Sequence, residues 1–107
     1  MSFDCTIERV GSTITVVPEG DIGVETVDAM REVLRQAVAS LDGGHIDVDM
    51  RSVTFLDSTG LGMIVAARRA AAAKGIELTV SEPGPVVNMV LQIAGLDSVL
   101  VRKADDS

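Results

Sequence analysis

Hydrophobic and polar residues alternate along four short stretches of this chain, and a period of two marks a half-buried β-strand. Phe3, Cys5 and Ile7 alternate with Asp4, Thr6 and Glu8, and Ile14 and Val16 alternate with Thr13 and Thr15. Ile46, Val48 and Met50 alternate with His45, Asp47 and Asp49, and Ile76, Leu78 and Val80 with Glu77, Thr79 and Ser81. A short further strand is predicted over 99–101. Three other stretches carry the helical period. Val27, Met30, Leu34, Ala37, Val38 and Leu41 recur at steps of three and four, which predicts a helix over 24–41 closed by Gly43-Gly44. A second helix is predicted over 58–74 and stopped by Gly75. A third runs from Pro85, a residue suited to a first turn, to just before Gly95. On that third helix Val86, Met89, Val90 and Ile93 are expected to be the buried stripe. Val87 and Leu91 are then either an exposed apolar patch or part of a wider stripe.

The alternation decides the architecture. Strands buried on both faces read as continuous apolar runs, and these strands are polar at every second position. The expected class is therefore α/β. It has a mixed four- to five-stranded sheet with helices packed on one face, in the order β-β-α-β-α-β-α(-β). Val10-Gly11-Ser12-Thr13 reads as a hairpin turn, and the later crossovers are expected to be parallel and right-handed. The uncovered face is expected to meet solvent or a partner. Asp47 and Asp49, two apart on one strand, read there as a solvated polar surface in preference to an acid–base pair. The length of 107 residues gives one domain over 1–107, with 103–107 as a frayed tail.

Composition narrows the function. Hydrophobic residues make up 47% of the chain but Phe3 and Phe55 are its only aromatics, so the core must be aliphatic. Nine basic against 16 acidic residues give a net charge of -7, which disfavours nucleic acid and anionic membranes as partners. Cys5 is the sole cysteine, so an internal disulfide is excluded and a core position is expected. Residues 1–20 lack a basic start followed by an apolar run, and the near-apolar stretch 61–67 is too short to span a bilayer. A cytoplasmic protein is the expectation. His45, the only histidine, reads as a surface residue, and one His with one Cys builds no metal site. There is no Walker-type or dinucleotide fingerprint and no nucleophile–His–acid set beyond His45. Neither catalysis nor a cofactor is expected. Arg68 and Arg69 read as surface charges.

One run concentrates the chemistry: Phe55-Leu56-Asp57-Ser58-Thr59-Gly60-Leu61-Gly62. It places Asp57 and two hydroxyls at a predicted helix N-terminus, where unpaired N–H groups and a partial positive charge tolerate an anion. Read alone, Asp57-Ser58 is a helix cap worth roughly 1 kcal/mol. Placed between a strand and a helix in a small acidic domain, Ser58 reads as a phosphorylation switch. Gly60 and Gly62 are expected to leave the first turn bare for a partner. Leu61 is expected in the core and Met63 on the outer face.

The order of elements together with this run resembles the STAS family, and more closely its small single-domain bacterial anti-sigma factor antagonists. The resemblance covers about 3–102. It is carried by Glu19-Gly20-Asp21-Ile22, by Phe55 to Gly62, and by Gly84-Pro85-Val86-Val87 with Ala94-Gly95-Leu96 around the third helix. It implies that Ser58 is the phospho-acceptor, with Thr59 the less favoured hydroxyl. An anti-sigma factor with serine-kinase activity would phosphorylate it from ATP, and a serine phosphatase would reset it. The unphosphorylated form would bind the anti-sigma factor and release the sigma factor. The docking surface expected on that basis comprises Asp21, Gly23, Asp57, Ser58, Thr59, Gly60, Gly62 and Met63, on a chain that is monomeric when free. The sequence departs from the family at Gly23, where an aspartate is usual; Asp21 is then the nearest acid. The alternative is a STAS docking subunit of a stress-signalling or lipid-transport ATPase complex with no phospho-switch. A nucleotide-type ligand at the Asp21–Ser58 surface is a third reading, disfavoured by the acidity and the lack of stacking aromatics.

Overall fold

Thr, Ile and Val favour the pleated surface of a sheet, and they build the first hairpin. The computed structural model describes residues 4–96. Strands β1 (Cys5–Val10) and β2 (Thr13–Pro18) pair antiparallel from Cys5↔Pro18 to Val10↔Thr13. Gly11 turns the chain between them at a φ of 60°. The chain continues through β3 (Gly20–Ile22), α1 (Val27–Ala39), β4 (Gly44–Asp49) and β5 (Val53–Leu56). It then forms α2 (Ser58–Ala72), β6 (Ile76–Ser81) and α3 (Pro85–Ile93). The main sheet has the order β1-β2-β4-β6, with β2, β4 and β6 parallel. The fold class is the mixed α/β one the alternation predicts. Phe3, the strand over 99–101 and the tail 103–107 lie outside the described residues.

Two strands escape the alternation reading. β3 and β5 form a separate two-stranded parallel sheet, registered Ile22↔Leu56. β3 has only three residues, and β5 buries its two ends and exposes its middle, so neither shows a period of two.

One aliphatic core unites these layers. Ile14, Val16, Ile46, Val48, Leu78 and Val80 from the main sheet join Met30 and Leu34 from α1, Ile64 from α2 and Leu91 from α3. α1 packs on α2, α2 on β6 and α3 on β5. Cys5 is half-buried against this core, and partial burial raises its thiol pKa above the ordinary value. Ile7, in phase with Cys5, is exposed on the outer strand β1.

Three expectations change. The stripe on α3 is reversed: Val87 and Leu91 are fully buried, whereas Val86, Met89 and Ile93 are exposed. α3 has one face on β5, and its apolar residues outnumber what that face can take. The sheet's polar face is also not simply solvated. Asp47 and Asp49 are buried to 9% and 5% exposure. Asp47 accepts hydrogen bonds from the Thr79 and Ser81 hydroxyls of the neighbouring strand, and Asp49 pairs with Arg51. His45 is half-buried and its Nε2 lies 2.7 Å from Thr79 Oγ1. Since the Thr79 proton goes to Asp47, Nε2–H is the donor to Thr79. Buried carboxylates persist because each has such a partner.

Candidate functional site

The second sheet builds the site. β3 and β5 run parallel and end level at Ile22 and Leu56, so the next residues, Gly23 and Asp57, emerge side by side. The Asp57 N–H donates to the Ile22 carbonyl at 3.2 Å, which continues the ladder one step beyond the strands. Asp57 keeps extended backbone angles and caps α2: its Oδ1 accepts the Gly60 N–H at 2.9 Å. Its carbonyl accepts the Leu61 N–H, closing the first helical turn. An aspartate here also complements the positive end of the helix.

Ser58 and Thr59 occupy the first two helical positions, and both are exposed. Neither helical position nor burial hinders access to the Ser58 hydroxyl. Gly62 is exposed too, with open space where a Cβ would stand. Thus the residues brought together at the tip of β3, β5 and α2 are Gly23, Asp57, Ser58 and Thr59.

Gly60 and Met63 are not at that surface. Gly60 is buried, and a Cβ added to it would lie 2.8 Å from Ile22 Cγ2, from the Ile22 carbonyl oxygen and from Leu56 Cδ1. Its lack of a side chain lets α2 sit directly on the β3–β5 pair instead of opening the turn to a partner. Met63 is 4% exposed and belongs to the core, a correction to its expected outer position. It lies three residues after Gly60 and just before Ile64, on the same buried stripe. Leu61 is partly buried and packs against the core.

Asp21 is exposed, and its carboxylate is held by the Thr54 hydroxyl of β5 at 2.6 Å. The carboxylate that lies over Gly23 is that of Asp57. Thr26 fixes the turn between β3 and α1: its Oγ1 accepts the Gly23 N–H at 3.0 Å and donates to the Asp21 carbonyl at 2.9 Å. Three contributors were not legible beforehand. Thr26 is one. Val24 and Phe55 are the others, apolar side chains 73% and 46% exposed on the segments next to Gly23 and Asp57. An isolated aromatic in a chain nearly devoid of them was the available signal for Phe55. Arg68, Arg69, Ile76, Glu77 and Thr79 line a cleft of about 280 Å³, toward the opposite end of α2 from Ser58. Among the described residues no group of acids, His and Cys is arranged to hold a metal, and no helix is long and apolar enough to cross a membrane.

Comparison with known proteins fits this arrangement. The chain is 26% identical over 100 residues to the anti-sigma F factor antagonist of Paenibacillus polymyxa, covering 94% of this chain and 86% of that one. Its fold superposes on an anti-sigma factor antagonist from Mycobacterium paratuberculosis with a TM-score of 0.83 at 24% identity, covering 98% and 90% of the two chains. It also superposes on the antagonist SpoIIAA. For the unphosphorylated form the TM-score is 0.79 at 20% identity, covering 96% and 91%. For the phosphorylated form of the Bacillus protein it is 0.71 at 20% identity, covering 96% and 95%. A family model described as "Mlab, STAS domain" matches residues 5–102. With that match spanning nearly the whole chain, and with the strand–cap–helix tip in place, the protein belongs to the STAS domain family.

Proposed function

We propose that this protein is an anti-sigma factor antagonist whose binding to an anti-sigma factor is switched by phosphorylation of Ser58. The observation that carries the reading is the exposed Ser58 hydroxyl on the first position of a helix already capped by its neighbour Asp57. In the step proposed, Ser58 Oγ attacks the γ-phosphorus of ATP held by the anti-sigma kinase. The Oγ–P bond forms, the bond to ADP breaks and the hydroxyl proton passes to a base of the kinase. The fold has no need to rearrange, because Ser58 is exposed at the start of the helix. Phosphorylation adds about −1.5 to −2 charges beside Asp57, on a protein of net charge -7. A like charge brought into an interface costs several kcal/mol, and about 1.4 kcal/mol is tenfold in affinity. The unphosphorylated form therefore binds and the phosphorylated form does not. A serine phosphatase returns the hydroxyl.

The test is intact mass after incubation with the candidate anti-sigma kinase and ATP, with Ser58→Ala alongside. One phosphate on the wild type and none on the variant supports the reading. In a binding titration Ser58→Ala binds as wild type and Ser58→Asp binds at least about tenfold more weakly. Equal binding by Ser58→Asp and wild type rejects the charge switch.

A second reading, a docking subunit that is never phosphorylated, is favoured by one feature. The first turn of α2 carries no basic residue to receive a phosphate, and Asp57 already takes its Gly60 amide. Stable co-purification with an ATPase subunit and an unmodified Ser58 would support that reading.

A further inference from the structure

We propose that Gly23 is a positioning residue for Ser58: the space left by its missing side chain is filled by the Asp57 carboxylate, and this holds Asp57 in its cap. The proposal rests on the reading of Ser58 as the switch residue. A Cβ built on Gly23 would stand 2.8 Å from Asp57 Oδ2 and 3.3 Å from Asp57 Cγ. Something must move if any other residue occupies position 23. The backbone at 23 is pinned on both sides. Its N–H donates to Thr26 Oγ1 at 3.0 Å, and its carbonyl accepts the N–H groups of Thr26 and Val27 at 3.0 and 2.8 Å. The Asp57 backbone is pinned as well, by its N–H on the Ile22 carbonyl and by the Leu61 N–H on its own carbonyl. The part free to yield is the Asp57 carboxylate, and it yields by swinging off the Gly60 N–H.

The consequence falls on Ser58. With the cap in place, Ser58 is held at the first position of a closed helical turn. With the carboxylate displaced, the first turn loses its side-chain acceptor and frays, and Ser58 is no longer presented in one geometry. Gly23 therefore acts through Asp57. The role of Gly23 rests on this contact and not on backbone freedom, since its φ lies outside the left-handed region.

A double-mutant cycle tests this with Gly23→Ala, Asp57→Ser and the two combined. Serine is itself a good cap and lacks the oxygen that meets position 23. In the wild-type background Gly23→Ala is expected to lower the folding equilibrium constant about fivefold, equivalent to about 1 kcal/mol. In the Asp57→Ser background the same change is expected to matter by roughly twofold at most. The Gly60 amide proton reads the cap directly by NMR: in Gly23→Ala it shifts upfield and exchanges faster with solvent. Ser58 phosphorylation by the anti-sigma kinase slows in the same variant by about the same fivefold factor. A turn role for Gly23 unrelated to Asp57 predicts equal losses in both backgrounds. That result, or an unmoved Gly60 amide, overturns the proposal. Coupling in the cycle with no phosphate ever found on wild-type Ser58 refutes the switch and leaves the Gly23–Asp57 pairing standing.

Discussion

Replacing Gly60 by alanine should destabilise this protein, although helix propensity argues the opposite. Ala is favoured over Gly inside a helix by about 1 kcal/mol. The structure reverses the sign. The new methyl would meet three atoms of Ile22 and Leu56, each at 2.8 Å, and one of them is a backbone carbonyl oxygen. That oxygen cannot retreat easily, because it accepts the Asp57 N–H and belongs to a registered strand pair. Overpacking of this kind costs about 1–3 kcal/mol. Prying α2 from β3 also weakens the Asp57–Ile22 hydrogen bond and the Asp57 cap, about 1 kcal/mol each. After subtracting the propensity gain, a net loss of about 2–4 kcal/mol is expected. Gly62→Ala is the internal control. It lies two residues along the same helix, exposed, with nothing within 4 Å of its Cβ, so propensity acts alone. It should stabilise by about 0.5–1 kcal/mol. Urea titrations followed by circular dichroism would measure both midpoints. Opposite shifts with unchanged slopes are the expected outcome. A Gly60→Ala protein as stable as wild type would show that the contact of α2 with β3 is loose, and the argument for a rigidly presented Ser58 would fail with it.

Three other outcomes follow from the same geometry. Leu91→Ala removes a fully buried side chain and should cost about 2–5 kcal/mol in a denaturant titration, whereas Ile93→Ala, 81% exposed, should stay within about 0.5 kcal/mol. Asp47→Ala leaves the Thr79 and Ser81 hydroxyls without their acceptor and should cost about 2–3 kcal/mol, measured the same way. Burial, reinforced by the charge of Glu19 and opposed by a hydrogen bond from the Val17 backbone, raises the Cys5 pKa in the folded state above its ordinary 9.0. Iodoacetamide should therefore alkylate folded Cys5 more slowly than urea-unfolded Cys5 at mildly alkaline pH. The thiol's contribution to stability is whole below the ordinary pKa and falls as pH rises past it, because the unfolded chain ionises first.

The sequence by itself determined the fold class and the place of Ser58 at a capped helix N-terminus. Period-two alternation is set by the pleat, so β1, β2, β4 and β6 announce themselves. The helical stripe of α1 and the cap-forming Asp57-Ser58 are equally local signals. What only the tertiary structure decided is whatever depends on two segments meeting. β3 and β5 were illegible because three and four residues are too few to show a period, and each is stabilised by the other. The buried face of α3 differs from the expected one because its two polar residues, Asn88 and Gln92, mark a stripe only weakly on a nine-residue helix, and packing on β5 makes the choice. Met63 turned inward because Gly60, beside it on the stripe, lets α2 settle onto Ile22 and Leu56. Gly23, a departure when read against the family, became a fitted contact once parallel pairing set it beside Asp57. Local chemistry placed the hydroxyl and its cap on a helix end, and long-range strand pairing set Gly23 beside the capping carboxylate.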